Sequence, residues 1–316
     1  MNSLIVGGGG FLGKNLADFL LAKGQVVRIF QRRGYLQEPF PNIGKVDWMS
    51  GDFSNPEEIL PALEGIDVVF LMSSTTTPKT SNDNFIYDIE TNLVNTVRFL
   101  EIACRTSIKK IVFTSSGGTV YGAPQSMPIR EDQATDPICS YGINKLAIEK
   151  YLALFQKQHG LEYSVLRISN AYGNYQPANT GQGLVATFLN KMLCNEEIEI
   201  WGDGSVIRDY IYAEDVARAL YCAASKNARQ RIFNIGSGIG YSVNEILFQM
   251  ETLLGRKART RYFESRLIDV PKNILDISNA RLHLDWEPSF NIQSGLKATA
   301  DWLKLQLDTV KNKNVL

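Results

Sequence analysis

Residues 7–13 read GGGGFLG, directly after the apolar run LIV (4–6) and directly before a stretch of helical periodicity. A strand that turns at once into a helix needs backbone without side chains at the turn. The helix start then offers free N–H groups and a partial positive charge. Gly7, Gly10 and Gly13 are spaced GxxGxxG, which lets the turn pass close to a pyrophosphate. The alternative is a tight strand–helix turn with no ligand. The motif opens the chain between a strand and an amphipathic helix, and that context favours the phosphate site.

The helix that follows carries Leu12, Leu16, Ala17, Phe19 and Leu20 at helical spacing, and Gly24 closes it. Further strands are expected at 25–30, 45–52, 66–73, 109–116 and 162–169. Helices are expected at 55–65, about 84–106 and 141–160. Strands alternating with helices predict an α/β fold, a Rossmann-type doubly wound parallel sheet with helices on both faces. After residue 170 the pattern changes. A loop to 183, a helix (184–194), a short strand (197–201), the loop GDGSVIRDY (202–210), a helix (213–224) and the strand RIFNIG (231–236) follow. The remainder reads as mostly helical with a loop around 263–275. Residues 1–169 are thus expected to form a dinucleotide-binding domain to which 207–236 returns. Residues 170–206 and 237–316 form a smaller, mostly helical substrate-binding domain.

Lys plus Arg and Asp plus Glu number 33 each in 316 residues, so no net charge draws the chain to nucleic acid or to an acidic membrane. The start MNSLIVGGGG lacks the basic and long apolar regions of a signal peptide, and no apolar run approaches the ~20 residues of a membrane helix. The four cysteines (104, 139, 194, 222) form no CxxC pair and only His159 and His283 accompany them, so no metal site is expected. A cytoplasmic protein with reduced thiols fits this usage. Cys139 stands two residues before Tyr141 and is assigned to local packing.

The end of the second strand is where an acid usually holds the adenosine ribose. Here that place is Gln31, followed by Arg32 and Arg33. A missing carboxylate removes repulsion toward a 2′-phosphate, and two guanidiniums can pair with one. The cofactor is therefore NAD or NADP, with a tilt to NADP; a solvated arginine turn is the other reading. Asp52 and Phe53, after the third strand, suit the adenine.

Tyr141 and Lys145 stand four apart on a predicted helix and share one face. A tyrosine acting as base near neutrality must drop roughly three pKa units from ~10, about 4 kcal/mol. An ammonium about 4 Å away contributes on the order of 4 kcal/mol at an effective dielectric near 20, and desolvation opposes it. A partly exposed helix face is the alternative reading of the pair.

GGGGFLG, YGINK (141–145) and NAYG (170–173) resemble the extended short-chain dehydrogenase/reductase family, of the NAD-dependent epimerase/dehydratase type, particularly nucleotide-sugar epimerases like UDP-glucose 4-epimerase. The resemblance runs over almost the whole chain. It includes LMSS (71–74), TN (91–92), TSSGGTVYG (114–122), WGDGSVIRDYIYAEDV (201–216), FNIGSG (233–238), RLIDVP (266–271) and SNARLHLDWEPS (278–289). It implies that Phe11, Leu12, Leu71, Met72, Ser73, Asn92 and Ser169 belong to the cofactor site with the glycines, Tyr141 and Lys145. It implies that Asn170 and the arginines Arg208 and Arg266 hold a sugar-nucleotide diphosphate, with Asp269 near the ribose. It also implies a homodimer, built from the helix at 84–106 and the catalytic helix.

In the resembling enzymes Tyr removes the sugar O4 proton, a Ser or Thr hydroxyl relays it, and a 4-keto sugar forms. An epimerase returns the electrons to the other face, whereas a reductase consumes NADPH on an incoming 4-keto-6-deoxy sugar. Dehydratases place an acid after the catalytic hydroxyl; here Gly117, Gly118 and Thr119 follow Ser116, which argues against dehydration. The expected substrate of the epimerase is a UDP-hexose or UDP-N-acetylhexosamine. A non-catalytic sensor on the same fold would lack the Tyr141–Lys145 pair, which is present. The resembling family places its hydroxyl four residues before the Tyr of Tyr-Gly, which from Tyr121 falls on Gly117, whereas the epimerase pattern carries its serine three residues after the last apolar residue of the strand, which from Phe113 falls on Ser116. One extra residue at Gly117–Gly118, in a glycine bulge, reconciles the counts. Ser116 is therefore preferred, with Thr119 as the alternative and Ser115 on the opposite side of the strand.

Overall fold

Seven parallel strands form the central sheet of the computed structural model, which describes residues 1–34, 40–178, 183–264 and 270–313. The first part of the chain runs β1 (Asn2–Val6), α1 (Phe11–Ala22), β2 (Val26–Gln31), β3 (Asp47–Ser50), α2 (Pro56–Leu63), β4 (Val68–Leu71) and α3 (Phe85–Asp88). A π-helical stretch, Ile89–Val94, leads into α4 (Asn95–Ala103), β5 (Lys110–Ser116), α5 (Ser140–His159) and β6 (Glu162–Ile168). The second part runs β7 (Asn170–Tyr172), α6 (Leu184–Leu193), β8 (Glu197–Trp201), β9 (Ile207–Tyr212), α7 (Ala213–Ser225), β10 (Ile232–Ile235), β11 (Gly240–Ser242) and α8 (Val243–Leu254). It closes with β12 (Arg259–Phe263), β13 (Lys272–Asn273), α9 (Ser278–Leu284) and α10 (Ile292–Lys313).

The sheet order is β10–β6–β5–β4–β1–β2–β3, all parallel. The chain winds one way from β1 through β3 and the other way from β4 onward. That reversal leaves a crevice at the carboxyl ends of β1 and β4, the standard place for a ligand in an open α/β sheet. Because side chains alternate across a strand, Leu4 and Val6 enter the apolar layer under α4 and α5, while Ile5 enters the layer under α1 and α7. Both faces are covered, so the strands read as nearly continuous apolar runs.

A third apolar cluster, including Val185, Leu189, Ile246, Met250, Ile292 and Leu296, packs α6, α8 and α10 into the smaller region. Its connection to the sheet differs from the sequence expectation. The stretch GDGSVIRDY ends in strand β9, which joins β7, β11 and β13 in a second sheet, whereas β10 lies at the edge of the large one. Asp209 explains why β9 is extended there. Its fully buried carboxylate accepts from Ser237 N–H and Oγ, Gly238 N–H and Leu275 N–H, tying β9 to the FNIGSG turn and to the strap after β13. The helix expected over 84–106 is interrupted by the π turn. The stretch 263–275 is framed by the short strands β12 and β13, whose pairing partners lie far off in sequence. No helix among the described residues is long and apolar enough to cross a membrane.

Replacing Asp209 with Ala leaves those buried donors unmatched. The expected loss is about 2–4 kcal/mol in urea denaturation; a loss under about 1 kcal/mol would show that this strap does not hold the two sheets together.

Candidate active site

The crevice beside β1 is a cleft of about 420 Å³ lined by Gly7, Gly10, Gln31, Arg32, Arg33, Asp52, Phe53, Met72 and Ser73, among others. Gly7 turns the chain with a φ of +85°, and a side chain there would meet the Ser73 backbone at 2.8 Å. A Cβ on Gly13 would lie 2.5 Å from Gly8, so α1 starts pressed onto the turn. Helix α1 begins at Gly10 with no side-chain cap and no acid in its first turn, so its positive end faces the cleft uncompensated. This cradle of bare backbone fits a dinucleotide pyrophosphate. Phe11 and Leu12 form the first turn of α1 behind it, and Leu12 packs into the core.

Gln31 is buried, and its Oε1 accepts from Gly9 N–H at 3.0 Å. The carboxamide therefore braces the glycine turn as well as lining the cleft. Arg33 pairs with Glu58 at 3.0 Å on the exposed rim. The Asp52 carboxylate accepts from Ser54 N–H and Oγ, and Phe53 packs beside Phe99. Leu71 is buried in β4, one residue before Met72 and Ser73 on the cleft wall. Asn92 does not line this cleft. Its side chain holds the loop after β4, accepting from Thr75 N–H and donating to the Thr75 and Thr76 hydroxyls. Ser169 follows β6, its N–H on Ile235 O.

Tyr141 lies in the first turn of α5, half-buried, and Lys145 follows one turn on, buried. The Lys145 ammonium donates to Thr114 O at 3.0 Å and sits 5.4 Å from the centre of the Tyr141 ring and 4.7 Å from that of Phe113. The expectation that Lys145 depresses Tyr141 meets a stronger opposing effect. Burial pushes the Tyr141 phenol up to about 12, with Cys139 and Asp88 adding to the rise. Burial likewise takes Lys145 down to about 8, against the pull of Asp88 and Glu149. Desolvation penalises both charges, and a cation brought alongside is what shifts the balance.

Ser116 ends β5, half-buried, while Ser115 points the other way and donates to Glu149 at 2.5 Å. Gly117 N–H continues the ladder to Ile168 O, and the turn to Thr119 and Val120 begins at Ser116 O. Neither Gly117 nor Gly118 has a positive φ, so the extra residue needs no glycine-only backbone. Gly117 is required for space, since a Cβ would lie 2.5 Å from Leu275. A Cβ on Gly118 would lie 3.8 Å from both Ser116 Oγ and Asn170 Oδ1, which places those two groups around one point. Thr119 lines a second cleft of about 310 Å³ with Lys79, Asn82, Cys139, Arg208 and Asn273, and its Oγ1 is buried without a partner. Asn170 and Arg208 also line a third, open cleft of about 670 Å³ floored by α6 and β8. Arg208 is held by Ile207 O and Val270 O. Arg266 and Asp269 lie outside the described residues.

The sequence reading did not name Lys79, Asn82 and Asn273, which come from a loop, a 3-10 turn and a two-residue strand with no local pattern. Cys139, expected near the site in a packing and not a nucleophilic role, is the N-cap of α5 and lines the second cleft. Burial pushes its thiol up. Among the described residues no group of three His, Cys, Asp or Glu is arranged to hold a metal.

With this geometry in hand, comparison with known proteins is direct. Residues 3–236 match the NAD dependent epimerase/dehydratase family. The chain belongs to that family. It is an enzyme of the extended short-chain dehydrogenase/reductase class, of the epimerase type. It is 33% identical over 303 residues to a putative UDP-glucose 4-epimerase of Methanocaldococcus jannaschii, covering 95% of this chain and 98% of the relative. It is similar to the Thermotoga maritima UDP-glucose 4-epimerase solved with UDP-glucose, with a TM-score of 0.92, 33% identity and coverage of 97% and 100%. The Thermus thermophilus UDP-glucose 4-epimerase solved with NAD has a TM-score of 0.89, 27% identity and coverage of 96% and 99%.

For this family member, Lys145→Met tests the burial penalty directly. Lys145 is held near pH 8 in the fold against 10.5 free, so its cost is complete below pH 8 and gone above 10.5. The stability of the Met variant relative to wild type is expected to fall by roughly 2–3 kcal/mol between pH 7 and pH 10.5 in urea denaturation. A pH-independent difference would show that Lys145 keeps its ordinary affinity for the proton.

Proposed function

We propose that this chain is a nucleotide-sugar 4-epimerase acting on a UDP-hexose or UDP-N-acetylhexosamine through a transient 4-keto sugar, with Tyr141 as base. The observation that carries the reading is Lys145 beside the Tyr141 ring, its ammonium on Thr114 O in the strand that ends at Ser116, with a second cleft lined by Cys139, Thr119 and Arg208 next to the start of α5.

Gly7, Gly10 and Gly13 would hold the dinucleotide pyrophosphate, Asp52 and Phe53 the adenine end, and Tyr141 and Lys145 the nicotinamide end. When bound, the dinucleotide supplies a reversible two-electron acceptor beside a positive ring. Tyr141 takes the proton from the sugar O4 as C4 is oxidised, and Ser116 hydrogen-bonds that oxygen and relays the proton. Lys145 stabilises the phenolate. Asn170 and Arg208 anchor the diphosphate, and by resemblance Arg266 shares that role while Asp269 serves the nucleoside ribose. Turning the 4-keto sugar over before C4 is reduced inverts the centre.

Gln31 offers amide N–H groups where an acid is usual, and Arg32 and Arg33 follow it, which supports NADP as well as NAD. Mass spectrometry of the nucleotide released from the denatured protein decides between them. Bound NAD supports the internal redox cycle, and NADP or an empty site favours a reductase. A homodimer is proposed through α3 and α5, where Phe85, Ile86, Ile143, Tyr151 and Leu154 are exposed.

Incubation with UDP-glucose, UDP-N-acetylglucosamine and their galacto epimers, without added reductant, is expected to interconvert one pair. No epimer, together with NADPH oxidation by a 4-keto-6-deoxy sugar nucleotide, would replace the proposal with a reductase. Ser116→Ala is expected to lower turnover by roughly 10²-fold or more and Thr119→Ala much less; the reverse order would move the catalytic hydroxyl to Thr119. Tyr141→Phe with full activity would point to a binding module instead.

A further inference from the structure

Asp88 ends α3 and is completely buried, yet no cation pairs with it among the hydrogen bonds and ion pairs of the described residues. Its Oδ1 accepts from Thr76 Oγ1 and from Asn92 Nδ2 at 2.8 Å. Its Oδ2 accepts from Ser140 Oγ at 2.6 Å and from Asn144 Nδ2 at 2.8 Å. An ionised carboxylate has about four acceptor sites, and side chains from three different elements fill them. Thr76, Ser140 and Asn144 are themselves buried.

The two donors from α5 immediately precede the reacting pair. Ser140 is the residue before Tyr141, and Asn144 is the residue before Lys145. Asp88 thus grips the catalytic helix on two successive turns. The other two donors connect to the dinucleotide crevice through Thr75. Thr76 follows Thr75, which lines that crevice, and Asn92 holds Thr75 N–H at 2.9 Å. A further link reaches the second cleft, because Ser140 N–H donates at 3.0 Å to Asn82 Oδ1, and Asn82 lines that cleft.

Asn92, four residues on in the π turn that follows Asp88, also reaches the carboxylate and the loop. A buried cluster of this kind is unforgiving. Filled, it locks its elements in one arrangement, and a lost partner leaves a costly orphan.

We propose that Asp88 is a positioning residue for the epimerisation, a carboxylate splint that fixes the start of α5, and with it Tyr141 and Lys145, against the walls of both clefts. The inference rests on the reading of Tyr141 and Lys145 as the reacting pair. The charged and titratable groups acting on that pair are Asp88 from α3, Cys139 at the N-cap of α5 and Glu149 within it. Asp88 acts on Tyr141 and Lys145 in one direction, raising both. Loss of its charge therefore moves the ionisation of the pair to lower pH.

The test compares Asp88→Asn with Asp215→Asn in the full chain. Asp215 is also a buried carboxylate hub, but it braces Ser289, Phe290 and Arg218 at the base of α7. Asp88→Asn is expected to lower kcat by about tenfold or more, to leave KM within about threefold, and to move the acid limb of the pH–kcat profile down by about half a unit or more. Asp215→Asn is expected to lose stability without moving the limb. An unmoved limb in Asp88→Asn, a kcat within about twofold of wild type, or an equal limb shift in Asp215→Asn overturns the proposal.

If Asp88→Asn does not fold, Ser140→Ala and Asn144→Ala each remove one donor. A kcat loss of about threefold or more at unchanged KM supports the splint, and an unchanged kcat overturns it. Turnover by reduction instead of epimerisation refutes the epimerase reading alone, because the same pair reads out the splint. A wild type with neither activity overturns both.

Discussion

The contact on which everything else rests is the one between Gly13 and Gly8, where helix and turn touch through backbone alone. It fixes the start of α1 against the end of β1, the strand beside β4 where the strand order reverses. Because nothing fills the turn, the first N–H groups of α1 open onto the crevice at the reversal of strand order. Gln31 adds a brace from the neighbouring strand by accepting from Gly9 N–H. The position that usually discriminates at the ribose is therefore also part of the turn's framework, and its chemistry is tied to the shape of the loop.

The second constraint is electrostatic. Tyr141 and Lys145 are desolvated together, and burial pushes their proton affinities in the directions that suppress both charges. Burial opposes the Tyr141 phenolate and weakens the hold of Lys145 on its proton. Its own structure arranges the location, with the Lys145 ammonium on Thr114 O and the Asp88 cluster under the same helix, and a bound positive ring changes the charge balance. Reactivity in such a site depends on what is bound beside it more than on the intrinsic pairing of Tyr and Lys.

Much of the fold was legible in residues 1–169. Strands buried on both faces give continuous apolar runs, helices give a 3.6-residue period, and both are local signals. The glycine turn, the YGINK helix and the end of β5 could be placed from such signals and from resemblance. The same methods failed at β9, whose extended form depends on the Asp209 cluster, and at the helix after residue 84, where Asp88 and Asn92 reach distant partners around a π turn. The double glycine also reads differently in three dimensions. It looked like a demand for unusual backbone angles, and it is instead a demand for room beside Leu275.

By itself the sequence determined the α/β class, the place of the glycine turn and the spacing of Tyr141 and Lys145, because each depends on neighbours within one element. The tertiary structure decided that Thr119 faces the second cleft, that Arg208 lines both this cleft and the one beside Asn170, and how the start of α5 is held. Those outcomes depend on side chains from remote segments meeting in a desolvated interior, where hydrogen-bond geometry and burial, invisible in any local stretch, set the energies.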